Sequence, residues 1–282
     1  MAAIDLIAVP YDSGRRGYRM GAGPAAFIDG GLPASLARTG HHVRVTWIEA
    51  AATDPLASAV ELGTGIADAV RQARQADRLP IVLSGNCIST VGAVAGLDAD
   101  VAVVWLDAHG DLNTPATSPS GFLDGMAAAT LLGWCHQSEF AAVPGHRPLP
   151  VSRLLVIGCR ALDPPEAQAM SAAGIAPLDP AAAGSEARLE GRLAELVENV
   201  ADVHLHIDLD VLDPEESGPA NSYAAPGGLT QQQMIRIVQM LAARRPIASL
   251  TLSSYDPAVD VRGRVRAAAL PIMLEVLPQR PV

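Results

Sequence analysis

The chain is predicted to be an α/β protein in which a parallel sheet is flanked by helices in three layers. Three observations lead there. Short runs along the chain are apolar throughout rather than alternating with polar residues, as strands buried on both faces require. Stretches of helical length separate them, which is the pattern of crossover connections. Two of the runs end in acidic motifs, and sites in parallel sheets gather at the carboxyl ends of strands.

In chain order the expected strands are Ile4–Val9, Val43–Ile48, Ile81–Ser84, Val101–Asp107, Leu154–Gly158, Val203–Asp208 and Ile247–Ser253. The expected helices are Leu56–Ala76, Glu186–Asn199, Thr230–Ala243 and Val261–Leu277, the second carrying Leu and Glu at helical spacing. Asp163-Pro164-Pro165-Glu166 reads as a helix start. No internal repeat or linker divides the chain, so residues 1–282 are expected to form a single domain. Thr114–Gly121 and Asp213–Gly228 are long loops rich in Pro, Gly and Ser, a length usually tied to function.

With 49% hydrophobic residues and a mean hydropathy of +0.23, the 282-residue chain can bury a substantial core. Aromatics make up only 4%, so Ala, Val and Leu must fill it. The net charge of −10 and the lack of any basic run argue against nucleic-acid binding. No apolar stretch reaches membrane-span length and no signal peptide is evident. Cys87, Cys135 and Cys159 are odd in number and widely spaced, which suits a reducing cytoplasm better than a disulfide framework.

The chemistry concentrates in Asp107-Ala108-His109-Gly110-Asp111 and Asp208-Leu209-Asp210, each directly after an apolar strand. If the extension continues, alternate residues project to one side, bringing five potential ligands together. Four of them are carboxylates, a costly cluster unless cations neutralise it. Oxygen ligands with one imidazole suit Mn²⁺ or another divalent first-row ion better than a structural zinc. Ordinary strand-to-loop turns use the same residue types.

These motifs resemble the arginase/agmatinase (ureohydrolase) family, whose signatures are an Asp-Ala-His-x-Asp block and a Ser-Phe-Asp-x-Asp-x-x-Asp-Pro block. The second reads here His206-Ile207-Asp208-Leu209-Asp210-Val211-Leu212-Asp213-Pro214. Asn113-Thr114-Pro115, Ile157-Gly158-Cys159-Arg160, Gly227-Gly228-Leu229-Thr230 and the turn from Gly21 to Pro24 extend the likeness over most of the chain. The resemblance implies an arginase-like fold and two Mn²⁺ ions bridged by Asp107 and Asp208. Asp111 would complete one ion's shell, and His109 with Asp210 the other's. It also implies hydrolysis of a C–N bond in a small guanidino- or amidino-type substrate, giving urea or a substituted urea. Asn113, Ser118 and Ser120 would grip the amino-acid end, with Asp163 and Glu166 meeting the α-amino group. Family relatives form various assemblies, so a homo-oligomer is open.

Several positions depart from the family pattern. Leu83-Ser84-Gly85-Asn86-Cys87 stands where the family has Leu-Gly-Gly-Asp-His, which makes Cys87 the metal ligand and tilts preference towards Zn²⁺, Fe²⁺ or Co²⁺. Phe122 sits where arginases often have Asn. Asp124 replaces a proton-shuttling His and serves only if its pKa is raised; His206, or His204, is the other shuttle candidate. Ser254 replaces the Glu that anchors the guanidinium, removing a charge-assisted hydrogen bond of about 2 kcal/mol or more. Asp256 or the Tyr223 hydroxyl are stand-ins for it. A less basic group, such as an N-hydroxyguanidine, ureido, imino or amide, becomes the better substrate. The same changes leave open a catalytically silent ligand- or partner-binding protein, or a formimino/amide hydrolase.

Overall fold

The computed structural model describes residues 2–97 and 100–277. Its central element is a seven-stranded sheet with every pairing parallel. The strands are β1 (Ala3–Val9), β2 (His42–Trp47), β3 (Leu79–Ser84), β4 (Val101–Leu106), β5 (Leu154–Ile157), β6 (Asp202–Asp208) and β7 (Ile247–Ser253). They lie in the order β2-β1-β3-β7-β6-β4-β5. The last strand has its expected bounds, and the others shift by a residue or two. The larger helices are α1 (Gly23–Asp29), α2 (Leu32–Arg38), α3 (Pro55–Gln75), α4 (Ser89–Ala95), α5 (Ala127–Leu131), α6 (Pro164–Ala172), α7 (Glu186–Val197), α8 (Gln231–Arg244) and α9 (Arg264–Val276).

Strand alternation divides the interior into two apolar layers. Leu6, Leu83, Val104, Leu205 and Leu252 face one way, against α1, α2, α7, α8 and α9. Val9, Val82, Val103 and Trp105 face the other, against α3, α4 and α5. The four expected helices are present, but α1, α2, α4 and α5 were not expected. Every residue of α4 and of α5 is buried, so neither has the polar face that marks a helix in sequence. The last helix starts at Arg264 rather than Val261, because Gly263 before it is left-handed with φ 64°.

A short hairpin, Tyr11–Asp12 with Arg15–Arg16, follows β1 and leans on the end of β3. There Gly85 passes so close that an added Cβ would lie 2.3 Å from the Tyr11 carbonyl oxygen and 2.7 Å from Gly21 Cα. Gly85→Ala is therefore expected to cost about 3 kcal/mol. That corresponds to a fall in Tm of roughly 6–12 °C, measurable by circular dichroism. An unchanged Tm would show that this crossing has slack.

Candidate metal centre

The site is built by four neighbouring strands in the middle of the sheet. Register sets Asp208 level with Ser253 and Leu106 level with Ile207, so β4, β6 and β7 finish in one row. Cys87 arrives in the turn after β3. The chain does not stay extended past the acidic motifs, as simple alternation had required. His109 N–H donates to Asp107 Oδ1 at 2.7 Å, and Asp210 N–H to Asp208 Oδ1 at 2.8 Å. Leu209–Val211 is a 3-10 turn, and Asp111 is left-handed with φ 51°. These tight turns, rather than strand pleat, bring the side chains together.

Cys87, His109, Asp111, Asp208 and Asp210 line the floor of a cavity of about 410 Å³. Asp107 lies just beneath it, fully buried, its Oδ2 accepting from the Trp105 indole N–H at 3.0 Å. Cys87 Sγ is 3.0 Å from Asp208 Oδ2 and 3.2 Å from both Ser253 Oγ and Ser254 Oγ. His109 Nδ1 is 3.4 Å from Asp107 Oδ1 and from Asp210 Oδ2. Among the described residues, two sets of donor atoms lie within 4.8 Å of one another: Cys87, Asp107 and His206, and Asp107, His109 and Asp210. Asp107 belongs to both.

The electrostatics of the cluster are unbalanced. Burial, followed by neighbouring carboxylates, raises Asp111 and Asp208 well above the ordinary carboxylate range. Burial also raises Asp107, against the pull of His109. Burial opposes charge on His109 too, but the flanking Asp107 and Asp210 outweigh it and raise its pKa. For Asp210 burial is again opposed, here by His109, the Ala108 N–H and Asn221, and its pKa is held low. One imidazolium cannot balance this many carboxylates. Asp111 Oδ2, moreover, is buried with no hydrogen-bond partner among the described residues. An oxygen-rich donor set with one imidazole and one thiol, short of positive charge and with an orphaned oxygen, fits divalent cations.

The profile of the family described as "Arginase family" matches residues 2–278. The chain belongs to the arginase family. Members of this family are hydrolases of non-peptide C–N bonds that generally use a binuclear manganese centre. An arginase from Bacillus caldovelox is 31% identical, with 97% of each chain covered. The native crystal structure of that arginase superposes with a TM-score of 0.89 at 29% identity over 100% of both chains. The N(omega)-hydroxy-L-arginine amidinohydrolase of Streptomyces lavendulae is 29% identical, covering 76% of this chain and 75% of that one.

This arginase-family pocket also gathers the residues expected at the amino-acid end and at the guanidinium anchor. Asn113, Ser118, Ser120, Asp163 and Glu166, of the first set, and Ser254, of the second, all line it. Asn113 Nδ2 donates to Asp163 Oδ2 at 3.0 Å. Ser118 and Ser120 hydroxyls accept from Gly121 N and Phe122 N, shaping the loop. Glu166 accepts from Leu112 N–H at 2.8 Å and from Asp163 N–H at 3.3 Å, so it ties the helix start of α6 to the acidic loop. Ser254 is buried and left-handed, with φ 64°.

The shuttle candidates separate. Asp124 lines the pocket, accepting from Ile88 N–H at 3.0 Å and Asn86 Nδ2 at 2.9 Å. Burial lifts it to about 7 despite those two donors. His206 does not line the pocket; β6 turns its ring into the layer shared with Trp105, below the floor. His204 is fully buried one pleat further down, with Nδ1 2.6 Å from Ser249 Oγ. Of the two stand-ins for the lost Glu, Tyr223 lines the pocket and Asp256 does not. Asp256 Oδ1 accepts from Ala258 N–H and closes a turn of its own.

Asn221, Arg19 and Asp12, and the contacts made by Arg160, Phe122 and Tyr223, were missed by sequence reasoning. Asn221 lines the pocket and donates to Asp210 Oδ2 at 3.4 Å and to the Ser254 carbonyl at 2.9 Å. Arg160 donates to the carbonyls of Asp210, Val211, Leu212, Ala225 and Pro226, bracing the Asp213–Gly228 loop. At the mouth, Phe122 stacks on Tyr223 at 5.5 Å, and Arg19, paired with the buried Asp12, donates to the Tyr223 hydroxyl. A flagged loop pointed towards Asn221, and Arg160, Phe122 and Tyr223 were named from the sequence, but none of these pairings was foreseen, because no spacing rule links positions so far apart.

Proposed function

We propose that this arginase-family chain, acting as one catalytic unit, hydrolyses the C–N bond of an amino acid or amine carrying a hydroxyguanidino or related weakly basic guanidino group. The observation that carries the reading is the pocket itself, with an acidic cluster at its floor, Asn113, Asp163 and Glu166 on its wall, and a neutral Ser254 at the guanidinium anchor. Two divalent ions, Mn²⁺ by family likeness, would be held by Cys87, Asp107, His109, Asp111, Asp208 and Asp210. Such a pair lowers the pKa of water and stabilises developing negative charge.

The chain's own groups do the rest. Asn113 and Asp163, hydrogen-bonded to each other, present a carboxylate to a substrate amino group. Phe122 and Tyr223 narrow the mouth and exclude water. Water adds to the guanidino carbon, the bond from that carbon to the side-chain nitrogen breaks, and protonated Asp124 supplies the departing amine's proton. In the metal-free fold burial lifts Asp124 to about 7, and an acid with a pKa near the working pH is matched to that task. The three free thiols favour a reducing cytoplasm as the place of work.

Ornithine release is the test, since the amino-acid product is common to both substrates while the co-product is urea from arginine and hydroxyurea from N-hydroxyarginine. N-hydroxyarginine is expected to exceed arginine in kcat/KM by about tenfold or more, the counterpart of one missing charge-assisted hydrogen bond. Ser254→Glu should restore part of the arginine activity, since position 254 already adopts its left-handed backbone with a non-glycine residue. Arginine preferred by the unaltered protein would refute the substrate assignment.

A further inference from the structure

His206 is fully buried, and its ring stacks on Trp105 with centroids 3.7 Å apart. Its Nδ1 lies 2.7 Å from Thr90 Oγ1, while Nε2 has no hydrogen-bond partner among the described residues. An unpaired nitrogen in an apolar layer costs about 1–3 kcal/mol. His204 shares that defect but belongs to no cluster of metal-binding atoms among the described residues. His206 does: one of its ring nitrogens, Cys87 Sγ and an Asp107 carboxylate oxygen lie within 4.8 Å of one another.

The geometry points to His206 as a metal ligand that joins Cys87 and Asp107 in a soft subsite, distinct in chemistry from the Asp107–His109–Asp210 half. Thiolate, imidazole and carboxylate together select Zn²⁺, Co²⁺ or Fe²⁺. The other half offers two carboxylates and one imidazole, a harder set suited to Mn²⁺. The surroundings suit a ligand role. Nδ1–H of His206 donating to the Thr90 hydroxyl leaves Nε2 free to ligate, the usual way a second contact fixes a ligating tautomer. The Trp105 indole N–H fixes Asp107 from the same side. Binding exchanges the Cys87 thiol proton for the ion, and that proton leaves to solvent. Asp107, common to both halves, would then join two unlike ions, and His206 would be a ligand rather than a proton shuttle. The inference rests on the pocket being a metal centre, but not on the substrate.

The test is titration of the metal-free protein with Co²⁺ alone. The first equivalent is expected to produce the near-ultraviolet thiolate-to-cobalt charge-transfer band. X-ray absorption should place sulfur and imidazole on the same ion, a combination that the His109 half does not contain. Cys87→Ser should lose the band. His206→Gln should keep it while binding Co²⁺ about tenfold more weakly or worse. No band, or sulfur without imidazole on that ion, overturns the inference, and both spectra come from the unaltered protein whether or not the variants fold. A chain that shows the band but releases neither urea nor hydroxyurea from any guanidino or hydroxyguanidino compound keeps this inference and loses the proposed reaction.

Discussion

Asp208→Asn is expected to lower kcat/KM on the order of a thousandfold while leaving the metal-free protein at least as stable as before. The two effects have one origin. Asp208 sits at the end of β6, nearly inaccessible, between the thiol of Cys87 and the N–H of Asp210. Burial first, then Asp210 and Asp107, oppose its charge in the metal-free fold. A neutral amide of the same shape removes that repulsion and can still accept the Asp210 N–H. An amide would hold divalent cations less well than the carboxylate does, and loss of their effect on the reaction is worth several kcal/mol. Elemental analysis should find the variant short of metal, and thermal unfolding should find it no less stable. Full metal content with activity intact would remove Asp208 from the centre.

Chelation is expected to turn the same repulsion into a pH-dependent loss of stability. In the metal-free fold, burial lifts Asp124 to about 7, and burial with neighbouring charge lifts Asp111 and Asp208 well above the usual range. Unfolded, these groups titrate near about 4. From about pH 4 to about pH 7 the folded chain therefore holds protons that the unfolded chain has released, and stability falls as pH rises. Ion binding requires the deprotonated ligands, so it strengthens in the same direction. Between about pH 5 and about pH 7.5 the Tm of the chelated protein should drop while that of the loaded protein holds. At a thousandfold excess of free metal over Kd the gap amounts to about 4 kcal/mol. Differential scanning calorimetry with and without chelator measures it, and a gap that narrows with rising pH would contradict the charge assignment.

Cys87, Asp124 and Ser254 show what a single sequence can carry. Each lies beside a motif whose order and spacing survive, so the departures were visible as departures, and all three side chains line the pocket. The long helices were legible for a similar reason: α3, α7 and α8 each keep a buried stripe with a polar back. The buried helix α4 kept no such contrast and passed unseen.

The chain order of residue types therefore determined the parallel sheet, the acidic strand ends and the family, because strand and turn preferences are local and repeat with a short period. It could not say what stands beneath or opposite those ends. Asn221 on Asp210, Arg160 on the carbonyls of a distant loop, and Arg19 held by Asp12 are pairings between segments that share no period. Even within one strand, Asp208 reaches the pocket while His206 turns under its floor. Both residues have the same parity along β6, and only the turn at Asp208–Asp210 and the packing of Trp105 separate them. That choice belongs to the tertiary structure, since it depends on which neighbouring strand supplies the surface against which each ring or carboxylate packs.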